Sequence, residues 1–262
     1  MKRGLEPDRA QEILDRLKLD FPDATCELAH ANAYQLLSAT ILSAQCTDER
    51  VNMVTPRLFE KYPTPEALAR ADPATLQDII RSTGFFNNKA KSLMGMAQAV
   101  VSEHGGEVPD RIDDLVKLPG VGRKTANVVL GNVWNKPEGL VVDTHVRRLV
   151  ARMGLTPEDD PEKIEEVMSP RIRREDWTVA AHLFIWHGRY RCTARAPQCA
   201  GCSVASLCPS DASGTWKGPK LADLIGKAAA KRVATDEKAR GRKDTPDLGV
   251  KGPAPKRKPP RA

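Results

Sequence analysis

The sequence predicts an all-α protein. Apolar residues recur at helical spacing in segment after segment, Pro- and Gly-rich breakers separate these segments, and no alternating strand of length occurs. "AQEILDRLKL" places Ile13, Leu14 and Leu17 on one face, and "ATLQDIIRS" does the same with Leu76, Ile79 and Ile80. "SLMGMAQAVV" contributes Leu93, Met96, Ala97, Val100 and Val101, and "PEKIEEVMS" contributes Ile164, Val167 and Met168. The breakers "KYPTPEA", "RADPAT", "HGGEVPDR", "LPGVG", "NKPEG" and "LTPEDDP" lie between the periodic stretches, giving roughly ten helices. The short apolar run "GLVVD" is ambiguous by itself, because one strand has no partner. After Cys208 the pattern weakens. "LADLIGKAAAKRVA" allows a short helix, and the rest is Pro, Gly, Lys and Arg with almost nothing to bury, which predicts disorder.

The net charge of +7 is unevenly distributed. Residues 212–262 hold 14 of the 41 Lys and Arg against 5 of the 34 Asp and Glu, which leaves the remainder of the chain close to neutral. A basic extension of this kind points to a polyanion partner, most often nucleic acid; the plainer reading is a solubilising tail. No apolar run approaches the roughly 18 residues needed to span a bilayer. The N-terminal "MKRGLEPDRAQEILDRL" lacks a signal-peptide core and is acid-rich where a transit peptide would be acid-poor. A cytoplasmic, most simply bacterial, protein with no membrane partner is expected. In that reducing compartment, clustered cysteines read as metal ligands before disulfides.

"DDLVKLPGVGRKTANVVLGNVW" is the most informative stretch. A short helix with Leu115, Val116 and Leu118 stops at Pro119, Gly120-Val121-Gly122 turns the chain, and a second helix begins near Arg123 with Val128 and Val129 inward. Glycines permit a sharp turn and a close approach to a ligand. The N–H groups at the new helix start then suit an anion such as phosphate. The spacing is not that of a P-loop, and no strand precedes it. A turn between two core helices is the bland alternative. Lys124 lies just inside the second helix, where the positive end of the helix, together with partial burial, would favour the neutral, nucleophilic amine. Taken alone, such a lysine is an ordinary surface residue. In "GLVVDTHVRRLVARMG", Asp143 stands where a carboxylate N-cap would start a helix.

Four of the six cysteines fall in "CTARAPQCAGCSVASLC": Cys192, Cys199, Cys202 and Cys208, spaced C-x6-C-x2-C-x5-C. A four-cysteine zinc site is commonly built from two C-x2–4-C pairs, and only one such pair is present. Four thiolates also suit an iron–sulfur cubane. Spacing alone leaves zinc and cluster open. Cys26 and Cys46 lie outside the pattern and read as ordinary free thiols.

Taken together, "LLSATILSAQCTDERVN", "TGFFNNKA", "LPGVGRKTANVVL", "VVDTHVRRL", "HGRYRC" and the four cysteines resemble the endonuclease III family of helix–hairpin–helix DNA glycosylases, over nearly the whole chain to about Cys208. The resemblance implies two helical domains with a DNA cleft between them: residues 27–137 with the helix–hairpin–helix, and residues 1–26 plus 138–210 with a [4Fe–4S] loop; a basic disordered tail is expected over 211–262. It implies base excision repair of oxidised pyrimidines, with strand cutting 3′ to the site by β-elimination. Lys124 is the expected Schiff-base nucleophile and Asp143 the expected catalytic carboxylate. Cys192, Cys199, Cys202 and Cys208 are the expected cluster ligands. Gln45 and Phe85 match positions that fill the gap left by a flipped base, although many relatives carry leucine at the second. Lys89, Gly120, Val121, Gly122, Thr144, His145 and Arg195 complete the expected DNA contacts, with Lys89 reaching a phosphate. The expected partner is double-stranded DNA with a damaged pyrimidine or abasic site, bound by a monomer. Adenine-mismatch glycosylases share these features but generally lack the lysine and carry a large extra C-terminal domain. A non-catalytic DNA-binding module would need neither Lys124 nor Asp143.

Overall fold

A computed structural model describes residues 7–241, and the described residues contain helices and no strand. The α-helices are α1 (Pro7–Asp20), α2 (Ala33–Leu42), α3 (Asp48–Lys61), α4 (Pro65–Ala69), α5 (Pro73–Ile80), α6 (Phe86–His104), α7 (Ile112–Leu115), α8 (Arg123–Trp134), α9 (Thr144–Arg152), α10 (Pro161–Met168), α11 (Trp177–Tyr190), α12 (Leu221–Ile225) and α13 (Lys227–Gly241). Their starts follow from local chemistry. Asn32, Thr47, Thr64 and Asp72 each accept a first-turn backbone N–H, and Pro65 and Pro73 occupy the opening position where no N–H is required. The "GLVVD" run forms no regular element, and Leu140, Val141 and Val142 are buried.

The chain divides into two compact units. One comprises residues 23–142 and 168–182. Its core gathers Leu36, Leu37, Leu42, Leu58, Leu76, Ile80, Leu93, Met96, Val100, Leu130 and their neighbours. The inclusion of 168–182 departs from the expected boundary, and the contacts explain it. Gly131 of α8 comes so close to Thr178 that a β-carbon there would lie 2.5 Å from the hydroxyl. A ring nitrogen of His182 lies 2.8 Å from Asn132 Oδ1, and Leu140 N–H donates to Ser169 Oγ at 3.3 Å. Burial holds His182 well below its ordinary value, at about 4.

The other unit comprises, among the described residues, 7–22, 143–167 and 183–241. Arg16 ties α1 to the cysteine region by donating to Ser203 O at 3.0 Å and Ser206 Oγ at 2.7 Å. The expected disorder from residue 211 onward is corrected for 211–241. Asp211 accepts from the backbone of Ser213, Thr215 and Trp216, Arg9 stacks over the Trp216 ring, and α12 and α13 bury Ile225 and Ala229. Leu221 and Leu224 pack beside Gly154, and α13 packs on α9. The apolar groups that achieve this are few but local, so short helices suffice. The disorder expected over 242–262 lies outside the described residues. Two smaller corrections concern Val116 and Val167, which are 41% and 38% exposed and lie outside the core.

Candidate active site

The hairpin is built as the glycines require, but the two glycines have different reasons. Gly120 has φ +78, and a β-carbon there would lie 2.6 Å from Ser92 Cβ, so backbone conformation and packing both demand glycine. Val121 is buried and anchors the turn, with its N–H on Leu118 O at 3.0 Å. Gly122 has an unexceptional φ of −89 and open space where a side chain would project. Among the described residues nothing requires it to be small. It begins α8 with no side-chain cap, so the first turn of that helix is not closed by a side-chain acceptor. Lys124 is exposed in that first turn.

Asp143 begins α9. Its Oδ1 accepts both from His145 N–H and from Val146 N–H, each at 2.8 Å, while Oδ2 has no partner among the described residues. The N-cap reading therefore holds, and the second carboxylate oxygen is left over. Thr144 is exposed. The ring of His145 is engaged inside its own unit: Nδ1 lies 3.3 Å from the Arg148 guanidinium, and a β-carbon on Gly188 would approach it to 2.8 Å. The His145 ring therefore has packing partners within this unit.

Gln45 and Phe85 are two of the three non-glycine residues with positive φ among the described residues, at 54 and 48. Such a conformation costs a non-glycine residue about 1–3 kcal/mol and concentrates at functional sites. Both side chains are outward, and Phe85 is 63% exposed. The neighbouring Phe86 packs against the core instead, with the Arg81 guanidinium over its ring.

Lys89 corrects an expectation. It is 5% exposed and does not reach outward to a phosphate. Its Nζ donates to Leu42 O at 2.8 Å and Thr83 O at 2.7 Å, and burial pulls its amine below the ordinary lysine value. The sequence did carry a signal. Lys89 continues the buried stripe of α6 through Leu93, Met96, Ala97 and Val100.

The four cysteines Cys192, Cys199, Cys202 and Cys208 line a single cavity together with Arg152, His187 and Arg191. Burial pushes the Cys208 thiol up to about 12 and raises Cys192 and Cys202. Buried thiolates here need a compensating cation. Part of that comes from Arg152, 3% exposed, whose guanidinium lies 3.4 Å from Cys192 Sγ and donates to Thr193 O and Ala194 O. Arg148 donates to the carbonyls of Gly188 and Cys192. No sequence motif marks these two arginines; their spacing of four along "VRRLVAR" puts both on one face of α9. Arg195 is exposed and does not line the cavity. Among the described residues, no group of three or more His, Cys, Asp or Glu is arranged to hold a single metal ion. Four thiols around one cavity are the donor set that a cysteine-ligated cluster requires. Cys26 and Cys46 pack against the core of the other unit.

Residues 38–174 match the HhH-GPD superfamily of base excision DNA repair proteins. An endonuclease III from Synechocystis is 51% identical over 80% of this chain and 95% of its own length. One from Bacillus subtilis is 45% identical over 74% of this chain and 89% of its own length. A solved non-covalent endonuclease III–DNA complex superposes with a TM-score of 0.75 at 41% identity, covering 80% of this chain and 98% of that one. A trapped covalent endonuclease III–DNA intermediate gives the same TM-score, identity and coverage.

Proposed function

This chain belongs to the endonuclease III family of the HhH-GPD superfamily of base excision DNA repair proteins, and on that premise we propose which of its residues carry the chemistry. It is a DNA glycosylase and abasic-site lyase acting on double-stranded DNA. The observation that carries the assignment is the start of α8: a tight glycine turn, a helix end without a side-chain cap, and an exposed lysine in the first turn. Phosphate is the ligand such an end accepts. The damaged pyrimidine is extruded from the stack, and Gln45 and Phe85 fill the space it leaves. Lys124 Nζ attacks C1′ as the bond from C1′ to the base breaks, and the base departs with the bonding electrons and takes up a proton. The sugar ring opens to an imine on Lys124. Loss of a C2′ proton then expels the 3′ phosphate, which cuts the strand. The carboxylate of Asp143 stabilises the positive charge that develops at C1′. Its cap geometry supports this role, because Oδ1 fixes the group while Oδ2 remains available.

The four cysteines are proposed to hold a [4Fe–4S] cluster, with Arg148 and Arg152 offsetting its negative charge. Base displacement and β-elimination need no electron, so its contribution is to shape the loop. Protein purified without oxygen should contain about four irons per chain; zinc in their place overturns this assignment. No helix among the described residues is long and apolar enough to cross a membrane. The substrate DNA is proposed to be that of the bacterial nucleoid, bound by one copy of the chain. The decisive test of the catalytic assignment is borohydride trapping. Lys124→Ala should bind damaged duplex yet neither cut it nor become trapped on it. Undiminished trapping of that variant excludes Lys124 as the nucleophile.

A further inference from the structure

Lys89 is an expensive residue where it stands. A lysine in the first turn of a helix opposes the positive end of the helix dipole, and a buried ammonium forfeits its hydration. Four residues into α6, Lys89 bears both costs. Its two carbonyl acceptors explain what is gained. Leu42 is the last residue of α2, where helix carbonyls lack an intrahelical partner. Thr83, itself buried, closes the short turn before Gly84 and Phe85. The amine is thus shared between the two segments that lead to Gln45 and to Phe85. Gln45 lies three residues beyond the first carbonyl and Phe85 two residues beyond the second. Both side chains stand on backbone of positive φ, and Gly84 adds a third such residue at φ +71. Backbone in that region persists only when its surroundings over-determine it.

We propose that Lys89 is a positioning residue for strand intercalation: by bridging the Leu42 and Thr83 carbonyls it sets the spacing of the loops that present Gln45 and Phe85, so that both enter the stack together. The proposal rests on the reading of Gln45 and Phe85 as the gap-filling pair. The test uses Lys89→Met, which keeps the length of the side chain and removes the donors. The duplex carries 2-aminopurine opposite a tetrahydrofuran abasic analogue, so its fluorescence reports on the stack around the unpaired base. A second duplex carries an oxidised pyrimidine for single-turnover excision.

Lys89→Met should lose the fluorescence change and slow excision roughly tenfold to a hundredfold, the range expected for a misplacement of about 1 Å. Its affinity for undamaged duplex should be unchanged. In a Gln45→Ala, Phe85→Ala background, Lys89→Met should cost little more, because the pair it positions is already gone. A full, additive loss in that background would make Lys89 a general fold residue and overturn the proposal, as would wild-type fluorescence and rate in the single variant. Should Lys89→Met not fold, Lys89→Gln, which retains a donor, carries the same cycle; failure of both to fold assigns Lys89 to the fold and rejects the positioning role. If Gln45→Ala with Phe85→Ala excises at the wild-type rate, the gap-filling reading itself fails. If that pair slows excision and Lys89→Met does not, only the inference about Lys89 fails.

Discussion

Two helices begin in opposite ways. α8 starts at Gly122 with no side-chain cap and nothing within 4 Å of the place a β-carbon would occupy. α9 starts at Asp143, whose Oδ1 closes the first turn by accepting two N–H groups. Each arrangement suits a different chemical task. An open helix start offers donors and positive partial charge to an outside anion. A capped start has already spent those donors on a carboxylate, and the carboxylate gains a fixed position in return. An acid that must stabilise a fleeting cation benefits from being held before the substrate arrives, since reorganisation during the reaction would cost rate. In the proposed mechanism Lys124, by contrast, stands on the open helix, on an exposed side chain that must travel to C1′. Under that proposal, position is fixed for the electrostatic group and left free for the nucleophile.

The largest effect should come from separating the two functions of Asp143. Asparagine caps helices about as well as aspartate, so Asp143→Asn preserves the start of α9 and removes the negative charge. Base release in single turnover should fall by about a hundredfold to a thousandfold, while thermal unfolding stays within about 1 kcal/mol of the parent. An unfolded variant would reduce Asp143 to a cap, and a fully active one would remove it from the chemistry.

A smaller effect should follow from making α8 resemble α9. Gly122→Asp supplies the missing cap at a position with room for a side chain, so stability should hold or rise by a few tenths of a kcal/mol. The new carboxylate would occupy the start of the helix and repel phosphate. Affinity for damaged and undamaged duplex should drop together, by roughly tenfold or more, as expected for loss of a contact that positions without reading sequence. Gly120→Ala is the control with the opposite signature. Strain at φ +78 and collision with Ser92 should lower stability by about 1–3 kcal/mol. Unchanged DNA affinity in Gly122→Asp would mean the open end holds no phosphate.

These contrasts also separate what the sequence makes legible from what it does not. The Asp143 cap and the Gly120 turn are local: a few consecutive residues decide them, and those residues could be read directly. Arg152 and Lys89 are different. Periodicity identified the face of α6 that is buried, yet a lysine on the edge of that face can turn inward or outward, and only the carbonyls of Leu42 and Thr83, 47 and 6 residues away, decide it. Arg152 likewise turns inward because carbonyls some 40 residues later lie beside it. The helices α12 and α13 are faint in the sequence for a related reason. Their own apolar residues are few, and what orders them is packing around Gly154 and on α9, which no local window contains.

The smallest effect concerns charge outside both helix starts. Residues 242–262 hold seven Lys and Arg against two Asp and Glu. Described residues through Gly241 belong to a unit with the cysteine cavity, so a truncation that spares the described part of this unit falls after Gly241, not at the end of the cysteine motif. Each phosphate neutralised by the removed segment contributes about 0.9 to the slope of log affinity against log salt. If two of its cations engage DNA at a time, truncation should flatten that slope by about two. The loss should be equal for damaged and undamaged duplex, because phosphate contacts carry no base information. The measurement is a salt series on both duplexes with the full and the shortened chain. An unchanged slope would leave the open start of α8 and the folded surface as the sources of phosphate binding. A loss confined to damaged duplex would mean that residues 242–262 act at the lesion itself, and the contrast between an open phosphate-binding helix and a capped catalytic one would then omit a third participant.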